Sequence, residues 1–133
     1  MFDLTKIISE DAAFLGPDAT IGEGVELLLD SGQLILPVVD DGRRVVGIMT
    51  EKMFLQSAGS GKMCSDPIGE CMNTNFVGFN INMGLIAVMY RVIVEKLREV
   101  PVTDGGVLVG ILNRGDLLEY LMDLKKCSAE MVT

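Results

Sequence analysis

Two stretches of this 133-residue chain carry the same short pattern in the same order, and a chain that repeats itself in this way folds as copies of one unit. The first reads Pro37-Val38-Val39-Asp40-Asp41-Gly42 followed by Val46-Gly47-Ile48. The second reads Pro101-Val102-Thr103-Asp104-Gly105-Gly106 followed by Val109-Gly110-Ile111. The offset is 64 residues at the prolines and 63 at the glycines. That one-residue slip falls between the two runs, in a turn, where a change of length is absorbed most easily. Asp18-Ala19-Thr20-Ile21 aligns upstream with Asn80-Ile81-Asn82-Met83, and Met53-Phe54-Leu55 aligns downstream with Asp116-Leu117-Leu118.

Periodicity gives the order of elements inside a unit. After Thr20, an N-cap residue type, Glu23, Glu26 and Asp30 recur at spacings of three and four on one face, with Val25, Leu28 and Leu29 on the other. This predicts an amphipathic helix. Residues 36–39 and 45–49 read as two strands around Asp-Asp-Gly, and residues 100–103 and 107–112 repeat the hairpin around Asp104-Gly105-Gly106. A helix follows each hairpin, from Glu51 and from Arg114. The second carries the stripe Leu117, Leu118, Leu121 and Met122 and ends toward Lys125-Lys126. With a short strand leading in, each unit is β-α-β-β-α, and the expected fold class is α/β in the α+β sense. Ser57-Ala58-Gly59-Ser60-Gly61-Lys62 has the composition of a flexible connection. The expected organisation is a first repeat over 1–58, a linker over 59–66 and a second repeat over 67–133.

Residues 76–94 are nearly free of charge and long enough to raise the question of a membrane span. Asn80, Asn82 and Arg91, with Gly78 and Gly84, divide the stretch into an extended piece and an apolar helix, which argues against one. That helix, residues 85–94, is apolar nearly all round, more than contact with one sheet requires. Either it is buried between the units or it forms a homodimer interface, and the amount of apolar residue in so small a chain favours the second.

Composition excludes several functions. Acidic residues outnumber basic ones 19 to 11, a formal charge of −8, so phosphate backbones and anionic membranes are repelled and neither nucleic acid nor membrane is an expected partner. There is no histidine, and Cys64, Cys71 and Cys127 form no CxxC pair, which removes the usual zinc sets and every histidine-based triad. Glu23, Glu26 and Asp30 are most simply a solvated helix face, and no carboxylate pair suggests acid–base catalysis, so no enzyme site emerges. The odd cysteine count, and an N-terminus lacking a basic start before an apolar run, predict a reducing cytoplasm. The thiols then serve as small hydrophobes or surface bystanders, with a redox-sensing pair of Cys64 and Cys71 as the lesser alternative.

The doubled Pro-Val-x-Asp hairpin, followed by Gly-hydrophobic-hydrophobic-Thr-x-x-Asp and a closing helix, resembles the paired cystathionine-β-synthase (CBS) domain module over essentially the whole chain. The resemblance implies two repeats packed sheet to sheet with pseudo-twofold symmetry, and association of two modules as a homodimer. It also implies clefts between the repeats that bind an adenosine-containing ligand, AMP, ADP, ATP or S-adenosylmethionine. The implied role is regulatory, energy sensing being one form of it, with a separate enzyme or transporter as target and no cofactor beyond the regulatory ligand.

The motif has a physical logic. Glycine ends a strand and admits a ligand to the backbone, Thr caps the next helix at its anion-attracting end, and the carboxylate accepts from both hydroxyls of a ribose. In the first unit the motif reads Gly47-Ile48-Met49-Thr50-Glu51-Lys52-Met53, with methionine in place of the acid. In the second it reads Gly110-Ile111-Leu112-Asn113-Arg114-Gly115-Asp116, with the acid present and Asn in place of Thr. The resemblance therefore implies one site built from Asp116, Asn113, Arg114 and Gly110, completed by the leading loop at about Ala12, Ala13 and Phe14 and by Leu36 and Pro37. A weaker site is implied at Thr50, Gly47, Thr74, Arg98 and Pro101. The same residue types also serve a chain that binds nothing: Thr50 and Asn113 as helix caps, Asp116 as a dipole or capping-box acid, the glycines as strand ends. The alternative function is accordingly a ligand-free dimerisation scaffold with vestigial pockets.

Overall fold

The computed structural model describes the backbone of residues 2–132 and the side chains of residues 2–124. Thr20 opens α1 (Ile21–Ser31) by accepting from the Glu23 amide at 3.1 Å, and the helix stops at Gly32, whose φ of 69° suits glycine. β1 (Ile35–Val39) and β2 (Val45–Thr50) pair antiparallel, and Thr50 then caps α2 (Glu51–Gly59) by accepting from the Met53 amide at 3.2 Å. The second unit follows with β3 (Phe79–Asn80), α3 (Leu85–Val94), β4 (Glu99–Asp104), β5 (Val107–Asn113) and α4 (Arg114–Val132). The architecture is mixed α+β, with two small sheets ordered β1-β2 and β3-β4-β5.

β3 runs parallel to β4 with Phe79 opposite Val102, whereas the first unit keeps only a single parallel bridge, Leu15 to Val38. Gly16-Pro17 follows that bridge, and a proline has no amide to extend the pairing. Leu15 and Phe79 are 64 residues apart, as are the starts of α1 and α3 at Ile21 and Leu85. The upstream alignment of Asp18 with Asn80 is therefore two residues out of register, and Thr20 corresponds to Gly84. The one-residue slip lies in the hairpin turns, as expected. Gly105 and Gly106, both at positive φ, make a tight turn in the second unit, while the Asp40 carboxylate organises residues 40–44 in the first by accepting from the Gly42 and Arg44 amides.

Two expectations about the long uncharged and glycine-rich stretches resolve differently. Residues 76–94 divide into β3 and α3, and among the described residues no helix is long and apolar enough to cross a membrane. Ser57 to Gly59, by contrast, are the last turn of α2: Ser57 is buried and donates to the Met53 carbonyl at 2.9 Å, which keeps the chain helical. Cys64 and Cys71 are free thiols, the latter donating to the Ile68 carbonyl at 3.5 Å, and the Cys127 side chain lies outside the described residues.

There are two cores, and each contains a piece of the other repeat. Leu4 and Ile7 pack with Phe79, Val88, Val102 and Leu112, while Ile68 packs with Leu15, Leu28, Leu36 and Phe54. The backbone follows the same exchange. Ser9 and Ile111 bond in both directions at 2.9 and 3.1 Å, and Asn73 and Ile48 do so at 3.0 Å each way. Ser9 and Asn73 are 64 residues apart, Ile48 and Ile111 63, so each repeat lends its leading segment to the partner repeat by the same contact. That reciprocity is what a pseudo-twofold relation between repeats requires. The hairpins also meet: the Arg44 guanidinium donates to the Gly105 carbonyl at 2.7 Å and the Val45 amide to that of Gly106 at 3.0 Å.

Helix α3 buries Val88 and Val92 but leaves Ile86, Tyr90 and Ile93 exposed by 81%, 65% and 73%. Its outer face is thus not covered by the described residues, which argues against burial between the units as the reason for its composition.

Candidate functional site

The junction of β5 and α4 brings the second-unit motif to the boundary between the repeats. Asn113, the last residue of β5, accepts from the Gly115 amide at 2.8 Å through its Oδ1, so it caps α4 as expected of an Asn in that place. Its Nδ2 donates to Glu99 Oε2 at 3.1 Å. The other oxygen of Glu99 accepts from the Leu34 and Ile35 amides at 2.7 and 3.1 Å, where β1 of the first unit begins. A continuous chain of hydrogen bonds thereby runs from β1 of one repeat to the start of α4 in the other.

Beside this chain lies a cavity of about 320 Å³, walled by Ser9, Ala12 and Gln33 from the first repeat and by Glu99, Asn113 and Asp116 from the second. A second cavity of about 490 Å³ adjoins it, sharing Ser9, Ala12 and Gln33 and adding Asp11, Ala13 and Asp30. These volumes are in the range of small-ligand sites. Gln33 holds the walls in place: its Oε1 accepts from the Ala13 amide at 2.6 Å, and its Nε2 donates to the Ala13 and Ile35 carbonyls at 3.1 and 3.0 Å. Asp116 stands exposed on the wall, and among the described residues no donor engages its carboxylate. No group of three His, Cys, Asp or Glu among the described residues could hold a metal ion.

Of the residues expected here, the structure brings Asp116, Asn113 and Ala13 to the cleft. Leu36 and Pro37 are fully buried in β1 and line neither cavity. Phe14 lies under the Arg43 guanidinium, 4.7 Å from the ring centroid, and Arg114 is exposed at the first position of α4; neither lines a cavity. Gly110 does face a close approach, but of backbone: a Cβ there would sit 2.5 Å from the Ser9 carbonyl oxygen. At the weaker site Gly47 is covered by Met72, whose Sδ would be 2.7 Å from a Cβ, and Met53 packs against the first core. Thr50 is engaged as the cap of α2, Thr74 and Arg98 are exposed, and Pro101 is buried in β4. Glu99, Gln33, Ser9 and Asp11 were not anticipated. Glu99 was legible as a departure from the repeat, since its counterpart 64 residues earlier is the apolar Ile35.

The sequence profile of the CBS domain matches residues 4–59 and again residues 68–123. The chain belongs to the CBS-domain family. Among curated relatives of this CBS pair, the CBS domain-containing protein YhcV of Bacillus subtilis is 29% identical over 118 residues, 88% of this chain and 84% of its own. Among solved structures, CBSX2 in complex with AMP has a TM-score of 0.80 at 22% identity, with 94% of this chain and 99% of that one covered. The CBS domain pair of MJ0100, in complex with 5′-methylthioadenosine and S-adenosylmethionine, has a TM-score of 0.77 at 22% identity over 94% of this chain and 98% of its own. These likenesses establish the CBS-pair fold. Within it, the exchanged leading segments explain why both motif glycines are tight: each underlies the strand lent by the other CBS repeat.

Proposed function

We propose that this CBS pair is a regulatory module that senses an adenosine-containing ligand in the cleft of Asp116. The observation that carries the reading is an unengaged carboxylate at the third position of a helix, on the wall of a cavity built from both repeats. Asp116 accepts from the two ribose hydroxyls, while Ala12, next to the Ala13 that Gln33 pins, offers its backbone groups to the base. AMP, ADP, ATP and S-adenosylmethionine are the candidate ligands, as the complexes of CBSX2 with AMP and of MJ0100 with S-adenosylmethionine suggest. The repeats are taken as 1–58 and 67–133 joined by 59–66, and the cleft with Met53 and Met72 binds no ligand. A ligand touching both repeats alters their relation only if it binds two arrangements with different affinity, and this difference is what a separate target protein in the cytoplasm would read.

The test is thermal unfolding with each ligand. At about a hundred times its dissociation constant a ligand adds roughly 2.7 kcal/mol, a shift of several degrees for a chain of this size. Wild type is expected to shift and Asp116→Ala to lose the shift; an equal shift in both would show that the site lies elsewhere.

The exposed face of α3 supports a homodimer as the working form. The groove between α1 and α2, about 520 Å³ and lined by Val25, Leu29, Phe54 and Leu55, offers a second apolar surface of the same kind. Ile86→Glu combined with Ile93→Glu is expected to convert a dimer to a monomer in sedimentation at micromolar concentration, and a monomeric wild type would contradict this. The ligand-free scaffold remains the second reading because Met53 stands where the first repeat's acid belongs. It would prevail if no ligand shifts the unfolding of a protein that dimerises.

A further inference from the structure

We infer that Glu99 makes the cleft selective against phosphate, so that the adenosine ligand it takes is uncharged or cationic at its 5′ position. This rests on the adenosine reading of the same cleft. The carboxylate of Glu99 is half-buried and held on both sides, one oxygen by the Leu34 and Ile35 amides and the other by Asn113 Nδ2. Asn113 occupies the capping position at which a helix start would receive a phosphate. Its Oδ1 is committed to the Gly115 amide and one of the two N–H groups of Nδ2 to Glu99, so a phosphate arriving there meets a fixed negative charge beside the one remaining side-chain donor. Among the described residues lining the two cavities, Asp116, Asp11 and Asp30 add negative charge and no Lys or Arg offsets it; Arg98 and Arg114, the exposed neighbours of Glu99 and Asn113, line neither. Two like charges about 5 Å apart at an effective dielectric near 20 disfavour binding by roughly a hundredfold, and partial screening at an open cleft leaves on the order of tenfold. A thioether escapes this repulsion, and a sulfonium reverses it.

The experiment is calorimetric titration of wild type and Glu99→Gln with 5′-methylthioadenosine and with AMP. Wild type is expected to bind the thioether at least tenfold more tightly than AMP. Glu99→Gln keeps an oxygen for the two amides of β1 and is expected to narrow that ratio about tenfold, mainly by tightening AMP. Raising the salt concentration should narrow the wild-type ratio in the same direction, a readout that does not depend on the variant folding. AMP binding as tightly as the thioether in wild type overturns the inference, as does a ratio that neither salt nor a folded Glu99→Gln moves. If both ligands bind and Asp116→Ala abolishes both while the ratio is near one, only the charge selectivity fails. If neither binds, or binding survives Asp116→Ala, the adenosine reading of this cleft fails and the selectivity with it.

Discussion

Gly110→Ala is expected to destabilise the protein by about 3 kcal/mol, and Gly47→Ala by about 1 kcal/mol, although both are the glycine of the same motif. At Gly110 the three atoms nearest the added Cβ are all backbone of the leading segment: the Ser9 carbonyl oxygen at 2.5 Å, the Ser9 carbonyl carbon at 3.0 Å and the Glu10 Cα at 3.2 Å. None of these yields without moving the leading segment, and moving it breaks the paired bonds between Ser9 and Ile111. At Gly47 the nearest atoms are Met72 Sδ and Cγ, the flexible part of a thioether side chain, with the Asn73 carbonyl oxygen farther off at 3.1 Å. Urea midpoints of the two variants measure the difference. A Gly110→Ala protein as stable as wild type but unable to bind ligand would return this glycine to the role its motif suggested, that of admitting a ligand to the backbone.

Phe79→Ala is expected to cost about 3–5 kcal/mol, the largest loss from a single truncation in this chain. Phe79 has the largest fully buried side chain and lies in the same core cluster as Val88, Val102, Leu112 and the lent residue Leu4. Because Leu4 comes from the first repeat and Ile68 of the second fills the first core, neither core survives loss of the other. Thermal unfolding of Phe79→Ala should therefore show one transition, displaced as a whole. Two transitions with only one displaced would mean that the repeats unfold separately and that the exchanged segments contribute little.

The parts of the fold that the sequence made legible are those where local chemistry and tertiary structure agree. Thr20, Thr50 and Asn113 cap helices because an oxygen two or three bonds from the backbone reaches the free amides of a first turn, and this depends on nothing distant. The hairpins were marked by their turns in the same way. The exchange of leading segments was not legible: Leu4, Ile7 and Ile68 are isolated apolar residues with no periodicity, and only pairing with the other repeat decides where they pack. In the cleft, Asp116 and Asn113 were found because the motif sets their spacing on a strand end and a helix start. Leu36, Pro37 and Gly110 belong to the same motifs, but β1 and the lent Ser9 strand enclose them. Glu99 reaches the cleft through a register that places it opposite Asn113, and the repeat pattern pointed to it only as a carboxylate where the other copy has isoleucine.

The most direct measurement is the stoichiometry of adenosine-ligand binding by isothermal titration calorimetry, in wild type and in Asp116→Ala. A single functional cleft per chain predicts one ligand bound per polypeptide, and none by a folded Asp116→Ala. Two ligands per chain, or one that binds Asp116→Ala as well as wild type, would contradict it.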